Sequence, residues 1–156
     1  MIRLARLADY GLLISAALAE LGPELVKLEQ VAERTALTVP TVRKVMKLLV
    51  DGGVVASERG ARGGYRLSRD AAAVTLADVI HAVEGGVALT DCCRTENECE
   101  VAGNCTIQAN WLIVNGAVND IFARITLADM LARPMTRREV LLKAERAPIA
   151  AVQVES

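Results

Sequence analysis

Aromatic residues are scarce in this 156-residue chain, which has two tyrosines, one tryptophan and one phenylalanine. A stacking platform for single-stranded nucleic acid needs an aromatic ring for each bound base, so this class of partner is nearly excluded. Histidine is rarer still, with His81 alone. A single histidine, with no recognisable carboxylate pair or nucleophile beside a base, leaves little from which to build an active site. We therefore expect no enzymatic activity.

Long apolar runs are also missing, since no uninterrupted stretch approaches the roughly 20 residues of a membrane span. Arg3 and Arg6 precede an apolar stretch that loosely resembles a secretory signal, but Asp9 stands at its start. The apolar residues of this stretch recur at three- and four-residue steps, which predicts one face of an amphipathic helix. We therefore expect a mature first helix and a cytoplasmic protein that makes no contact with a membrane.

The net charge of the whole chain is only −1, from 18 basic and 19 acidic side chains, but the two signs of charge are segregated along the chain. Residues 39–69 hold seven basic and two acidic groups, a net of +5, whereas residues 71–132 hold two and eight, a net of −6. A local basic excess is typical of a surface that contacts a polyanion. The small total therefore does not exclude a nucleic-acid partner.

The first 70 residues predict three helices followed by a β-hairpin. The first helix should end at Gly22-Pro23, a short second helix covers 28–35, and Thr38 is the expected N-cap of a third helix that ends at Asp51. The third helix has a predicted buried stripe of Val42, Val45, Met46 and Leu49.

Two short strands then flank a Gly-rich turn at 60–64. This order of elements predicts a winged helix-turn-helix domain over residues 1–70, in a mainly α-helical protein with a small β-wing.

A winged helix-turn-helix places its third helix in the major groove, where basic and hydroxyl side chains contact phosphates and base edges. Basic side chains of the wing reach the minor groove or the backbone. A solvated basic face is the alternative, but the basic helix and basic turn together favour double-stranded DNA. The candidate DNA-binding residues are Thr38, Thr41, Arg43, Lys44, Lys47, Arg59 and Arg62.

The tetrapeptide Thr-Leu-Ala-Asp occurs at 75–78 and again at 126–129. The surrounding sequences do not match, so we interpret the two copies as helix capping boxes and not as an internal repeat.

A heptad-like pattern dominates the second half of the chain, in a helix predicted over about 106–125. Its apolar residues fall at steps of 4, 3, 4, 3 and 4, which is typical of packing against a partner helix. We expect these residues to form a homodimer interface, with packing on the first helix of the same chain as the alternative. They are Ile107, Trp111, Val114, Val118, Ile121 and Ile125. Residues 71–133 would thus hold a cysteine loop and dimerisation helices, and residues 134–156 a flexible tail.

All four cysteines lie in an acidic segment that is poor in core residues: Cys92, Cys93, Cys99 and Cys105. Three of them are evenly spaced, which suits an iron–sulfur cluster. A structural zinc ion and unligated redox-sensing thiols fit the spacing nearly as well.

Several motifs together resemble the Rrf2 family of bacterial winged-helix regulators: 6–12 (RLADYGL), the wing 59–67 (RGARGGYRL) and the three-cysteine loop. The family includes the Isc regulator, the nitric-oxide sensor NsrR and regulators of the Suf iron–sulfur assembly operon. The segments 89–93 (LTDCC), 110–111 (NW) and 127–130 (LADM) are most similar to the Suf branch. The resemblance spans about residues 1–133.

The resemblance implies that Cys93, Cys99 and Cys105 bind an iron–sulfur cluster, with Cys92 as an extra thiol. The Isc regulator has a histidine ligand where this chain has Gln108. In NsrR an aspartate of the partner's first helix takes that role, and Asp9 matches its place here. The fourth ligand is thus Asp9 of the partner subunit, Gln108 or Cys92, and we favour [2Fe-2S] over [4Fe-4S].

The resemblance and the residues together predict a homodimeric repressor that binds a pseudo-palindromic DNA site. It would sense an iron–sulfur cluster and control Suf-type assembly genes. A zinc- or thiol-based redox regulator without a cluster, and a scaffold or cluster carrier that does not bind DNA, are the alternatives.

Overall fold

A computed structural model describes residues 6–94, 99 and 104–145 of the chain. The described part is mostly helical and has one two-stranded antiparallel sheet, as the sequence predicts. The elements in chain order are α1 (Arg6–Leu21), α2 (Leu28–Thr35), α3 (Val39–Asp51), β1 (Val55–Glu58), β2 (Gly64–Leu67), α4 (Leu76–Glu84), α5 (Gln108–Phe122), α6 (Leu127–Ala132) and α7 (Arg137–Glu145).

Helix α3 begins with Pro40 in its first turn, where proline's missing N–H is tolerated. Its four predicted stripe residues are all buried, which confirms the 3.6-residue pattern. Thr38 holds the N-cap position with extended backbone, but its side chain does not cap the helix. The hydroxyls of Thr38 and Thr41 pair with each other instead, at 2.8 Å between their Oγ1 atoms.

The hairpin that follows α3 pairs β1 with β2 in the register Val55 to Leu67. Glycine is needed at the end of the turn (Gly63) and at the start of β2 (Gly64), because other chain segments come too close for a side chain. A Cβ on Gly63 would lie 2.1 Å from the Glu58 carbonyl oxygen, and one on Gly64 would lie 2.6 Å from that of Val26. The hairpin is therefore tightly packed at its own turn and against the segment before α2.

One hydrophobic core runs from Ala8 in α1 to Leu127 in α6 and includes the buried faces of α2, α3 and α4. Helix α1 lies at its centre, in contact with α2, α3, α4 and α6. The core therefore continues across residue 70. The predicted domain boundary at residue 70 separates the proposed DNA-binding part from the cysteine and dimerisation part, and both parts share this core.

The two Thr-Leu-Ala-Asp segments form capping boxes, as predicted. Thr75 Oγ1 accepts the N–H of Asp78 at 3.1 Å, and Thr126 Oγ1 accepts that of Asp129 at 3.1 Å. The two boxes also lie side by side, because Leu76 N–H donates to the Ile125 carbonyl and Leu127 N–H to that of Val74, both at 2.9 Å. These bonds join the start of α4 to the start of α6.

Helix α5 is shorter than the predicted 106–125, since it begins at Gln108 and ends at Phe122. Ile125 lies beyond it and is 5% exposed, in the core of its own chain. The physical reason is the N-cap at Thr126, which requires a new helix start and leaves Ile125 in the connection. Ile125 is therefore a core residue, and its assignment to the dimer interface was wrong.

The tail predicted from residue 134 contains a helix, since residues 137–145 form α7. Thr136 and Glu139 make a third capping box at its start. Arg124 donates to the carbonyls of Lys143 and Ala144 at its end. Residues 146–156 lie outside the described residues.

Candidate DNA-binding surface and cysteine site

The outward face of α3 carries the predicted basic residues. Arg43, Lys44 and Lys47 are exposed, on the side opposite the buried stripe. Thr38 is exposed at the N-terminal end and Thr41 is half-buried one turn later. The first turns of α3 thus present two hydroxyls and three cations to solvent.

A groove of about 460 Å³ separates α3 from the hairpin and the segment before α2. Arg43 and Lys47 line it from α3, Arg59 from the hairpin and Lys27 from the segment before α2. Glu29 and Glu58 are its acidic lining residues. The structure therefore brings three predicted DNA-binding residues to one groove. Arg62 is exposed on the hairpin turn, and it lies outside the groove lining together with Thr38, Thr41 and Lys44.

Lys27 is a residue of this surface that the sequence pattern did not indicate. Its ammonium donates to the carbonyl of Ala61 at 3.0 Å and also to that of Gly63. These partners lie more than 30 positions later in the chain, so no local spacing connects them. The only available sign was a basic residue next to the second predicted helix.

Arg69 joins the end of the hairpin to the start of α4. Its guanidinium lies 2.7 Å from Asp78 Oδ2 and donates to the Ala73 carbonyl at 2.8 Å. Burial raises the pKa of Asp78, but hydrogen bonds from Thr75 and Arg69 outweigh it and leave the pKa below its usual value. The carboxylate therefore stays charged at neutral pH and keeps the two segments connected.

Cys92 and Cys93 lie in a single 3-10 turn that packs on α5. The Thr90 hydroxyl lies 3.1 Å from Cys92 Sγ and 3.2 Å from Cys93 Sγ. Cys93 Sγ also lies 3.6 Å from the Trp111 carbonyl oxygen. Cys93 is thus held beside the first turns of α5.

Cys99 and Cys105 are half-buried, while residues 95–98 and 100–103 lie outside the described part of the chain. Within the described ranges, no three histidine, cysteine or acidic side chains converge on a point that would hold a metal ion. Three thiols are nevertheless the donor type that an iron–sulfur cluster takes. Gln108 stands three residues after Cys105 at the start of α5, and Asp9 is exposed on α1.

The predicted dimer residues of α5 differ in exposure. Val114 is 46% exposed and Ile107 is exposed beside it, whereas Trp111, Val118 and Ile121 are half-buried within the chain. Ile113, which the heptad pattern omits, is 58% exposed. The open apolar surface of α5 is therefore rotated from the predicted seam toward Ile113.

None of the helices described is both long and apolar enough to cross a membrane.

Comparisons with known proteins identify the family of this chain. The family model Rrf2, an iron-dependent transcriptional regulator, matches residues 4–133. The transcriptional regulator IscR of Vibrio parahaemolyticus is 32% identical over 124 residues, which cover 80% of this chain and 71% of IscR.

Solved structures lead to the same family. T. potens IscR superposes with a TM-score of 0.64 at 26% identity, covering 88% of this chain and 96% of IscR. CymR, the global cysteine regulator of B. subtilis, superposes with a TM-score of 0.65 at 26% identity, covering 86% of this chain and all of CymR. These relatives are DNA-binding regulators and not enzymes. The chain belongs to the Rrf2 family of winged-helix transcription regulators.

Proposed function

We propose that this protein is a homodimeric repressor of the bacterial cytoplasm that senses an iron–sulfur cluster and controls Suf-type cluster-assembly genes. The observation that carries the proposal is the match to an iron-dependent regulator family over residues 4–133, a range that contains Cys93, Cys99 and Cys105. Family membership among transcription regulators argues against a cluster carrier that does not bind DNA.

Double-stranded DNA would contact both sides of the groove between α3 and the hairpin. Thr38, Thr41 and Arg43 stand in the first turns of α3, the part of a recognition helix that meets base edges. Arg43 suits a bidentate contact to guanine, and Lys44 and Lys47 suit phosphate contacts. Arg59 and Arg62 would reach the minor groove or backbone from the hairpin. A two-fold dimer then favours a pseudo-palindromic site.

Dimerisation would use the apolar face of α5 that the chain leaves open. Helix α5 contains no buried residue, although it carries seven residues of the strongly apolar types leucine, isoleucine, valine, tryptophan and phenylalanine. An apolar helix face stays in contact with water only at a cost of roughly 25 cal/mol per Å². A second copy of α5, packed against Ile107, Val114 and their exposed neighbour Ile113, would remove that cost.

Cys93, Cys99 and Cys105 would hold the cluster, with Asp9 of the partner subunit as the favoured fourth ligand. Gln108 and Cys92 are the other candidates, and [2Fe-2S] is the favoured cluster type. A carboxylate from the partner would make cluster binding depend on the dimer. The bound cluster supplies redox chemistry and sensitivity to oxidants and iron shortage.

Regulation would follow from thermodynamic linkage between the cysteine loop and the hairpin. Cluster binding contributes folding free energy to the conformation that holds Cys93, Cys99 and Cys105 in place. Cys93 packs on α5, α5 contacts α4, and Arg69 connects α4 to the end of the hairpin. If the two conformations differ in DNA affinity, cluster occupancy shifts the population that binds DNA.

Anaerobic purification followed by iron and sulfide analysis and absorption spectroscopy tests the sensor. We expect visible charge-transfer absorption with bound iron and sulfide. Separate Cys93→Ser, Cys99→Ser and Cys105→Ser substitutions should abolish it, and Asp9→Ala should weaken it. Cys92→Ser should keep the absorption if Asp9 is the fourth ligand, and loss of the absorption would assign that role to Cys92. A colourless wild-type protein without iron would overturn the cluster assignment.

A gel-shift titration on duplex DNA selected in vitro with the wild-type protein tests the DNA-binding residues. Arg43→Ala should weaken binding by about fivefold or more, since a lost bidentate contact costs about 1–3 kcal/mol. Arg138→Ala, an exposed arginine of α7, is the matched control and should leave the affinity unchanged. Equal affinity of Arg43→Ala and wild type would remove Arg43 from the interface.

A thiol-based or zinc-based regulator without a cluster is the second candidate. Similarity to CymR, a cysteine regulator, favours it. The same purification distinguishes the two candidates. Zinc without iron, or reactive thiols without any metal, would support the second.

A further inference from the structure

The segment before α2 pairs with β2 through a single antiparallel bridge. Val26 and Tyr65 exchange two backbone hydrogen bonds, N–H to carbonyl in each direction at 2.9 Å. The next residue, Lys27, is the N-cap of α2, and its backbone N–H donates to Gln30 Oε1 at 2.7 Å. The backbone of Lys27 is thus fixed on both sides, which directs its side chain along the hairpin turn.

The glycine-rich turn is closed by one backbone hydrogen bond of its own. Gly60 has a positive φ of 107°, and Gly63 N–H donates to the Gly60 carbonyl at 3.0 Å. Glycine-rich segments lose much conformational entropy when they are ordered. The Lys27 ammonium opposes this loss by donating to the carbonyls of Ala61 and Gly63, on either side of Arg62. Hydrogen bonds from a charged donor are the stronger kind.

We propose that Lys27 is a positioning residue that holds the wing in the conformation that presents Arg59 and Arg62 to DNA. The proposal rests on the proposed DNA-binding function of the hairpin. Two of the three ammonium N–H donors are committed to turn carbonyls. In this role Lys27 acts through the wing and not through a phosphate contact of its own.

The competing role is a direct contact, because Lys27 lines the same groove as Arg43 and Lys47. A double-mutant cycle separates the two roles. If Lys27 acts through the wing, removing Arg59 and Arg62 removes its target, and Lys27→Met should then have little further effect. If Lys27 contacts a phosphate, its loss should weaken binding equally with and without the wing arginines.

The experiment measures affinity for the selected duplex in four proteins: wild type, Lys27→Met, Arg59→Ala/Arg62→Ala, and the triple variant. We expect Lys27→Met to weaken binding about tenfold in the wild type and at most about twofold in the Arg59→Ala/Arg62→Ala background. Lys27→Arg, which keeps a charged donor, should restore part of the loss. Equal tenfold losses in both backgrounds, with the salt slope lower by about one, would overturn the proposal.

A second measurement needs no DNA and therefore separates this proposal from the proposed function. Amide exchange of Gly63 reports whether the turn is ordered, since its N–H bonds to Gly60. Lys27→Met should speed this exchange at least about fivefold while amides inside α3 stay protected. Unchanged exchange at Gly63 would overturn the wing-positioning role, whether or not the protein binds the duplex. Loss of protection in α3 as well would assign Lys27 to general stability and equally overturn it.

Discussion

The two parts of the described chain, before and after the end of α4, have similar fractions of apolar residues but bury them to very different extents. From α1 to α4 the apolar faces meet in one core. Beyond α4, only Ile125 and Leu127 of the described residues are buried in it. Helices α5 and α7 bury none of their residues. Apolar composition therefore does not decide burial, since a helix face is buried only if another surface covers it. The first part supplies that surface itself, whereas α5 leaves Ile113 and Val114 exposed, where the proposed dimer would cover them.

Polar contacts add to the apolar packing, by residues such as Phe122 and Val140, that holds the C-terminal helices to the core. The α4 and α6 capping boxes share backbone hydrogen bonds, and Arg124 donates to the last carbonyls of α7. Lys143 lies 2.8 Å from Asp129 Oδ2 and connects α7 to α6. Such contacts fix orientation with modest free energy, about 0.5–1.5 kcal/mol each. The C-terminal helices should therefore open more easily than the core.

The largest contrast is expected from the same substitution in each part. Leu49 is fully buried in α3 and Leu141 is about half exposed on α7. Leu49→Ala should lower the free energy of unfolding by about 2–5 kcal/mol, through lost burial and the cavity left behind. Leu141→Ala should change it by less than about 0.5 kcal/mol. Chemical denaturation at one protein concentration measures both, and equal losses would mean that α7 is part of a buried core or interface.

A smaller effect, on association and not on folding, is expected from the open face of α5. Val114→Lys places a charge on the proposed seam and should weaken the dimer at least about tenfold. Leu112 is also exposed on α5, but it is two positions away and points about 200° around the helix. Leu112→Lys is therefore the matched control. Sedimentation across a concentration series measures both, and equal weakening by the two would contradict the assignment of the seam.

The elements with a strong periodic pattern were predictable because their own neighbours bury them. Val42, Val45, Met46 and Leu49 show a 3.6-residue period and all four are buried. Both Thr-Leu-Ala-Asp capping boxes formed as predicted, since a capping box involves only four consecutive residues. Local rules suffice when the partners of a residue are near it in the chain.

The errors arise where a second segment decides the outcome. The heptad period continued to Ile125, but the N-cap at Thr126 and its pairing with α4 moved Ile125 into the core. Helix α7 was missed because its apolar residues lack a clear period, although Thr136 and Glu139 carried a capping-box signal. Lys27 meets carbonyls more than 30 residues away, which no spacing reveals.

The paired capping boxes give a prediction of intermediate size. Thr75→Ala and Thr126→Ala should each lower stability by about 1 kcal/mol, because each removes the side-chain acceptor of a helix N-terminus. Their effects should not add, because the two boxes share backbone hydrogen bonds. Thr→Ser at either position keeps the hydroxyl and serves as the control. Chemical denaturation of the Thr75→Ala/Thr126→Ala double variant tests this. If its loss in free energy of unfolding equals the sum of the two single losses, the two capping boxes are not coupled.

The smallest expected effect is a pH dependence at the contact between α6 and α7. Burial raises the pKa of Asp129, but hydrogen bonds from Lys143 and Thr126 outweigh it and hold the pKa below its usual value. A lowered carboxyl pKa contributes stability that is present above about pH 4 and is lost as the pH falls through the folded-state pKa. Asp129→Asn should therefore cost about 0.5 kcal/mol at pH 7 and progressively less as the pH falls toward 2. Asp78→Asn makes the matching test at the start of α4, where Arg69 takes the place of Lys143. Thermal unfolding from pH 7 to pH 2 measures both, and a wild-type and Asp129→Asn difference that persists undiminished at pH 2 would show that the ion pair is not its source.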